Sequence, residues 1–411
     1  MPADYLHGVE TIEMGGCPKA IKAVKTSVIG VIGTAPFDEV TEENQTVNKP
    51  VLLTRRFDCY QYFGNRRDGY TLPDALDAIY SQGSGLVIAI NVFDPSKHES
   101  VEDVTVYDVV GGVDPVTGKR TGLSAFEDCY SLFGFYPKII IAPTFCEDLS
   151  VANEMQTLCE KIRAIGLIDA PIGTTVQDAI EGRGPEGNIN FNFYSDRMVL
   201  CYPHVQAHDA MWNQIVYQPY SQYLAGVIAA KDMEKGYHWS PSNTEIKCIL
   251  GTERQLTSMF NDADSEVNLL NEAGIVTIYN SYGTGYRTWG NRNSLFPANG
   301  GDPITFINIR RTADILHESV EYAMLQYIDS PIDDALIDAI KESVNAFIRT
   351  LIGRGALVDG KCTFHPDKND VYQMADGHLI FDIEFMPPPP AERITFESYV
   401  NRDLLQGLGS S

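Results

Sequence analysis

Several stretches of the chain carry residue types and spacings that could do chemistry. "GRGPEG", Gly182 to Gly187, satisfies G-x-G-x-x-G letter for letter. A dinucleotide site needs that run after a strand and at the start of a helix, so that the helix N-terminus meets pyrophosphate. Here a helix-like stretch precedes it, and Pro and Glu occupy the turn, so a surface loop is expected. "GVDPVTGKRT" resembles a P-loop. The spacing from Gly112 to Gly118 is one residue too long, and Arg120 replaces the Ser or Thr that would hold Mg²⁺. A hairpin tip fits better. His204 and His208 stand at i, i+4 with Cys201 nearby, a spacing that could share a metal on a helix. No acid follows His204, and Pro203 breaks the segment, so structural roles are expected. "DADSE" (262–266) hints at calcium but lacks the Gly at loop position six and the Glu at twelve. No G-x-S-x-G elbow is present. Acids are abundant, but no pair stands out for catalysis. Neither cofactor nor metal is expected.

The bulk numbers narrow the function classes. A 411-residue chain can hold two or three domains, and 44% hydrophobic with 21% charged residues is globular composition. The net charge of −24 argues against nucleic acid and anionic lipid as partners, since both need a basic surface. The eight cysteines form no CxxC pair and suit a reducing cytoplasm. "MPADYLHGVE" lacks a basic and an apolar region, so no signal peptide is expected. No apolar run approaches the ~20 residues of a membrane span.

Hydrophobic patterning supplies the elements. Short apolar runs recur at 27–34, 85–93, 138–145, 164–171 and 197–205. Runs of this length suit strands buried on both faces. Helix-like stretches lie between them, at 71–82 and 149–165. Residues 25–205 therefore read as an α/β domain with a mainly parallel sheet. Within it, 101–122 alternates and then carries Gly-Gly, Asp-Pro and Thr-Gly turn signals, as a hairpin insertion would. Residues 206–386 read as α+β. One helix is expected over 312–328. A second is expected to start with Ser330 as N-cap and Pro331 as first residue, with Leu336, Ile340, Val344, Phe347, Ile348 and Leu351 as its apolar face. Gly353 and Gly355 end it. A last strand is expected over 378–386.

The two ends pose a different problem. Residues 1–24 hold one alternating stretch that includes Leu6, Val9 and Ile12. After the prolines at 387–390, Ile394, Phe396 and Val400 alternate with Thr395, Glu397 and Tyr399. A proline tract is extended and fairly stiff, and should hold the last strand away from its own domain. A strand without a sheet is not stable alone. Either both ends fold back on their own domain, or they pair with a sheet edge on another subunit.

Seven stretches together resemble the contractile-tail sheath family of myophages and R-type bacteriocins. They are "YLHGVETIEM", "IKAVKTSVIGVIGTAP", "DVVGGVDPVTGKRTGLSA" (108–125), "WSPSNTEIKCILGTER" (239–254), "GYRTWGNRN" (285–293), "FINIRRTADIL" (306–316) and "PPAERITFESYV" (389–400). The resemblance runs nearly end to end and is densest from 239 to 400. It implies an α/β outer domain (25–205) plus an α+β inner domain (206–386). It also implies extended N- and C-terminal β arms (1–24 and 387–411) that pair with neighbouring subunits.

The same resemblance implies a non-enzymatic structural subunit of the virion tail, assembled in the host bacterial cytoplasm. Such subunits stack as six-fold rings in a helix around a tail tube protein. They start extended and metastable, then contract on a baseplate trigger and drive the tube through an envelope. Baseplate and tail terminator proteins are further implied partners. The intersubunit strands would be Leu6, Val9 and Ile12 at one end and Ile394, Phe396 and Val400 at the other. Lys341, Arg349 and Arg354 are candidates for the tube contact. In "GYRTWGNRN" a packed Trp289, with Arg287 and Arg292 fixing a loop, is expected rather than an active site. Two alternatives stay open: an α/β enzyme binding nucleotide at Gly182–Gly187, and the sheath of a bacterial secretion machine. The latter is usually built from two different chains.

Overall fold

The computed structural model describes residues 21, 25–209, 213–259, 261–281 and 283–407. Leu6, Val9 and Ile12 lie outside them. The central feature is an eight-stranded mixed sheet. Its strands are β1 (Ile29–Gly33), β2 (Val51–Leu53), β3 (Val87–Asn91), β6 (Ile139–Ile141), β7 (Ile165–Asp169), β8 (Met198–Cys201), β12 (Ile275–Ser281) and β13 (Gly285–Trp289). The order is β13-β12-β8-β7-β6-β1-β3-β2, with only the two edge pairings antiparallel. Each expected apolar run supplies a strand, and β1, β3 and β7 are buried along their whole length. Helices on both faces explain this. Helices α2 (Leu72–Ser81) and α7 (Tyr220–Glu234) cover one face, where Ile29, Val31, Ile139 and Val199 point. Helix α5 (Leu149–Ile162) covers the other, against Ile32, Ile140 and Ile168. Helix α1 (Arg56–Phe63) packs on α2, and α4 (Cys129–Phe133) lies near α5.

The sheet continues past residue 205. Helix α7 and strands β12 and β13 come from the following segment, and β12 extends the sheet in parallel from β8. The 197–205 run splits at Pro203 into β8 and β9 (Val205–Asp209). Strand β9 joins β10 (Gln214–Gln218) and β11 (Gly251–Thr252) in a separate small sheet. The expected hairpin at 101–122 is shorter than its alternation suggested. Its first half forms helix α3 (Val106–Val110), and only β4 (Gly112–Val113) and β5 (Arg120–Thr121) pair. Asp108 explains the change, since its carboxylate accepts the N–H and hydroxyl of Thr105 as a helix start requires. Helices α6 (Val176–Glu181) and α8 (Glu266–Glu272) complete this region.

The rest packs around a second core. Helix α9 (Ile307–Met324) begins five residues before the expected start at 312. Helix α10 (Asp334–Gly353) is capped by Asp333, not by Ser330. The Asp333 carboxylate accepts the Leu336 N–H at 2.7 Å, and a charged acceptor is a stronger cap than a hydroxyl. Val344, Phe347, Ile348 and Leu351 are buried, while Leu336 and Ile340 are only half-buried. Helix α10 packs on an antiparallel pair, β14 (Asp359–Phe364) and β15 (Phe381–Met386), with the short α11 (Val371–Ala375) between them in sequence. Ion pairs fasten α9 to the large sheet. Asp314 takes both Arg197 nitrogens at 2.8 and 2.9 Å, and Glu318 meets Lys138 at 2.6 Å. Lys138 and Arg197 immediately precede β6 and β8, so α9 runs across the strand N-termini.

Candidate functional site

The C-terminal arm leaves the molecule from a built groove. Trp289, at the end of β13, stacks on Tyr279 with ring centroids 4.5 Å apart. Asn291 donates to the Asn308 carbonyl oxygen Oδ1 at 2.7 Å, and Asn308 Nδ2 donates to the His238 carbonyl at 2.9 Å. Both asparagines are buried, so these bonds hold the groove floor. Trp239, Phe306 and Gly355 line the groove together with Pro388 to Glu392. The proline tract therefore does not stand clear of its own domain. Pro387 is buried and Pro388 half-buried.

Arg292 closes the groove. An isolated antiparallel bridge pairs it with Phe306. Its guanidinium lies 3.5 Å from the Phe306 ring centroid and 4.7 Å from that of Phe296. It donates from Nη1 to Thr305 Oγ1 at 2.6 Å. Its other nitrogens grip Glu392, Nε to Oε1 at 3.1 Å and Nη2 to Oε2 at 2.6 Å. Two parallel charge-assisted bonds fix direction as well as distance. Arg287 likewise ties its strand to the neighbouring loop through the Asn243 carbonyl at 2.7 Å. The expected role of this stretch holds, and its link to the arm is what one-dimensional reading missed.

Beyond Glu392 the chain has no regular secondary structure up to Asn401 and pairs with no strand of the described residues. Ile394, Phe396 and Val400 are 69%, 89% and 96% exposed. Large apolar side chains in a row on a strand-like segment mark a surface meant to be covered.

The β14–β15 pair is the small sheet closest to this problem. Its two outer edges differ. On β14 the Asn345 side chain occupies Cys362, donating to its carbonyl at 3.0 Å and accepting its N–H at 2.8 Å. Asn369 holds Ile380 in the same way, just ahead of β15, at 2.9 and 2.7 Å. The outer edge of β15 itself meets no strand among the described residues.

The tube-contact candidates do not form one basic patch. Lys341 is paired with Asp338 at 2.6 Å, which holds its ammonium above the ordinary lysine range. Arg349 approaches Glu342 at 3.7 Å. Arg354 lies apart from both, on the arm groove.

The apparent chemical motifs resolve into architecture. "GRGPEG" follows α6, and its Arg183 is buried with its guanidinium donating to five carbonyls: Ala273, Phe191, Phe193, Ser294 and Phe296. "GVDPVTGKRT" is the β4–β5 hairpin, its turn organised by the Asp114 carboxylate. His204 is buried and His208 exposed. His208 meets Asn213 at 3.1 Å, while His204 faces Glu253 at 3.9 Å. In "DADSE", Asp262 accepts the Asp264 N–H and Glu266 accepts the Thr257 N–H. Among the described residues no three His, Cys, Asp or Glu side chains form a metal-holding group. None of their helices is long and apolar enough to cross a membrane.

Comparison with known proteins accounts for this architecture. Residues 118–294 match the phage tail sheath protein central domain, and residues 301–401 the phage tail sheath C-terminal domain. The chain is 39% identical to the tail sheath protein of Burkholderia phage BcepMu, over 99% of each chain. It is 32% identical to a putative prophage major tail sheath protein of Pseudomonas aeruginosa (strain UCBPP-PA14), over 95% of each. Its fold is similar to that of the anti-feeding prophage helical sheath in its contracted state. There the TM-score is 0.69 at 16% identity, covering 97% of this chain and 100% of the other. These matches settle the identity: the chain belongs to the phage tail sheath protein family as a contractile tail sheath subunit.

Proposed function

We propose that this sheath subunit polymerises as stacked hexameric rings around a tail tube, linked by exchanged β arms, in an extended metastable form. On a baseplate signal the rings rotate and shorten, and the tube is driven through the target envelope. Tail terminator and baseplate proteins bound the polymer at its two ends. The N-terminal segment with Leu6, Val9 and Ile12 is assigned to the same mesh.

One observation carries this reading: a strand-like segment without a sheet and a two-stranded sheet with an open edge occur in one subunit. Each solves the other's problem only between copies. Residues 394–400 add to the open β15 edge of a neighbour, and each backbone bond so formed contributes about 0.5–1.5 kcal/mol net. Burial of Ile394, Phe396 and Val400 adds roughly 1.5–3 kcal/mol each before ordering. Rings so tied can slide while the strand joints persist.

Electron microscopy of the purified full chain beside a version ending at Arg393, which keeps the Arg292–Glu392 pair, tests the exchange. Hollow striated tubes from the full chain alone are expected. Equal tubes from both would refute the role of 394–400.

The tube contact is assigned to the exposed face of α10. Joint reversal of Lys341 and Arg349 to Glu is expected to stop assembly on tubes. Extended particles of normal length from that variant would refute the assignment.

A further inference from the structure

We propose that Arg292 is a positioning residue for the C-terminal arm, and that its grip on Glu392 sets the point at which the arm becomes free. The proline tract forms one wall of a groove on its own subunit, and the side chain held at its far end is Glu392, gripped by Arg292. The backbone turns at this point as well, with the Glu392 N–H donating to the Pro390 carbonyl at 2.9 Å. The side chains from Ala391 to Val400 are exposed, and past Glu392 none of those up to Val400 is held by a side-chain bond among the described residues.

The two partners are built unequally. The Arg292 side chain is 13% exposed, braced by Thr305 and two phenylalanine rings. Glu392 is 50% exposed, and among the described residues its carboxylate pairs with Arg292 alone. A braced, mostly buried arginine thus holds a half-exposed carboxylate in a bidentate fork, which selects direction in a way that a point charge does not. The strand assigned to exchange begins two residues later, at Ile394. Its starting point and heading are then set by the fold of the donor subunit. With the grip lost, the free tether lengthens back through the prolines, at about 3.1 Å of reach per residue.

The grip can be read in the unassembled subunit by timed trypsin digestion. A protease needs an extended stretch on both sides of the bond it cuts. While Glu392 is held, the Arg393–Ile394 bond is protected on one side. The Arg402–Asp403 bond serves as internal reference, and each rate is divided by that of a matching synthetic peptide. Glu392→Ala is expected to speed cutting after Arg393 by about tenfold without changing the rate after Arg402. Glu392→Asp, which keeps the charge, should return most of the protection. Arg292→Lys should leave an intermediate rate.

Cutting after Arg393 as fast in the natural chain as in Glu392→Ala would overturn the proposal. So would equal rates for the Ala and Asp variants, since the ion pair would then not be the grip. A second arm rests on the strand exchange proposed above: tubes of Glu392→Ala should be shorter or less regular than those of the natural chain. Unaltered tubes would show that assembly does not use the grip. Failure of any chain to form tubes would count against the exchange and leave the digestion result intact.

Discussion

At the scale of single residues, burial decides what the titratable groups do. His204 is buried, and that burial pushes its imidazole down to about 4. Glu253, at 3.9 Å, is too distant to hold a proton on the ring. An unfolded histidine titrates near 6.5, so between these values the folded state binds fewer protons. Its contribution to stability is complete above pH 6.5 and is lost as pH falls toward 4, by up to about 3 kcal/mol. Asp169 acts in the opposite sense. Burial raises it to about 6, so its contribution is complete below the unfolded value and is lost as pH rises through 6. A comparison against the natural chain separates the two. His204→Gln should narrow the gap between urea midpoints measured at pH 7 and pH 4.5. An unchanged gap would mean that His204 does not sense pH in the fold. Arg183 makes a different point at this scale. Its five carbonyl partners turn a glycine-rich loop into a staple, and the letters around it describe a cofactor site only by coincidence.

At the scale of elements, helix α9 joins the two cores. Leu316 enters the small core beside α10, while Arg197, Lys138 and Asp232 meet α9 from the large sheet and α7. Arg311 and Asp232 are buried together, with Nη1 to Oδ1 at 2.8 Å, and Arg311 also donates to the Thr26 carbonyl at 3.0 Å. Burial raises the Asp232 carboxyl, and Arg311 opposes that rise. Removing one partner leaves the other charge buried without compensation. Arg311→Met should therefore destabilise the subunit by about 3–5 kcal/mol, read from denaturant unfolding of the unassembled chain. A loss under about 1 kcal/mol would show that water reaches Asp232 and that the pair does not couple the cores.

At the scale of the whole molecule, a subunit that works by moving needs rigid bodies and compliant joints. The described residues supply both. The large-sheet body and the small core share α9, and the arm from Arg393 to Asn401 pairs with no strand of the described residues. The large net charge of −24 keeps free subunits apart until neutralising or apolar contacts are made. Apolar arm residues should thus govern assembly more than stability. Replacing Phe396 and Val400 by Glu should leave the thermal midpoint of the free subunit unchanged while tube yield falls at least tenfold. A matching fall in the midpoint would place the arm on its own domain instead.

Local pattern was enough to determine five of the eight large-sheet strands and helices α2, α5, α9 and α10, because continuous apolar runs and helical spacing have direct physical causes; α7, β2, β12 and β13 were not read from it. The buried strands β1, β3 and β7 lie where spacing put them, as do Val344, Phe347, Ile348 and Leu351 of the α10 stripe. Seven stretches sufficed for the family. Helix starts were less legible, because Asp333 and Ser330 are both able caps and only the packed helix selects between them. Other features arise between residues far apart in sequence. The sheet runs through residue 205 because β12 pairs with β8. The proline tract lies along its own domain because Arg292, one hundred residues away, reaches Glu392. Asn345, bonded to the Cys362 backbone on β14, makes the two edges of the hairpin unequal. Such contacts depend on side-chain direction after folding, which no periodicity encodes, and only the tertiary structure decided them.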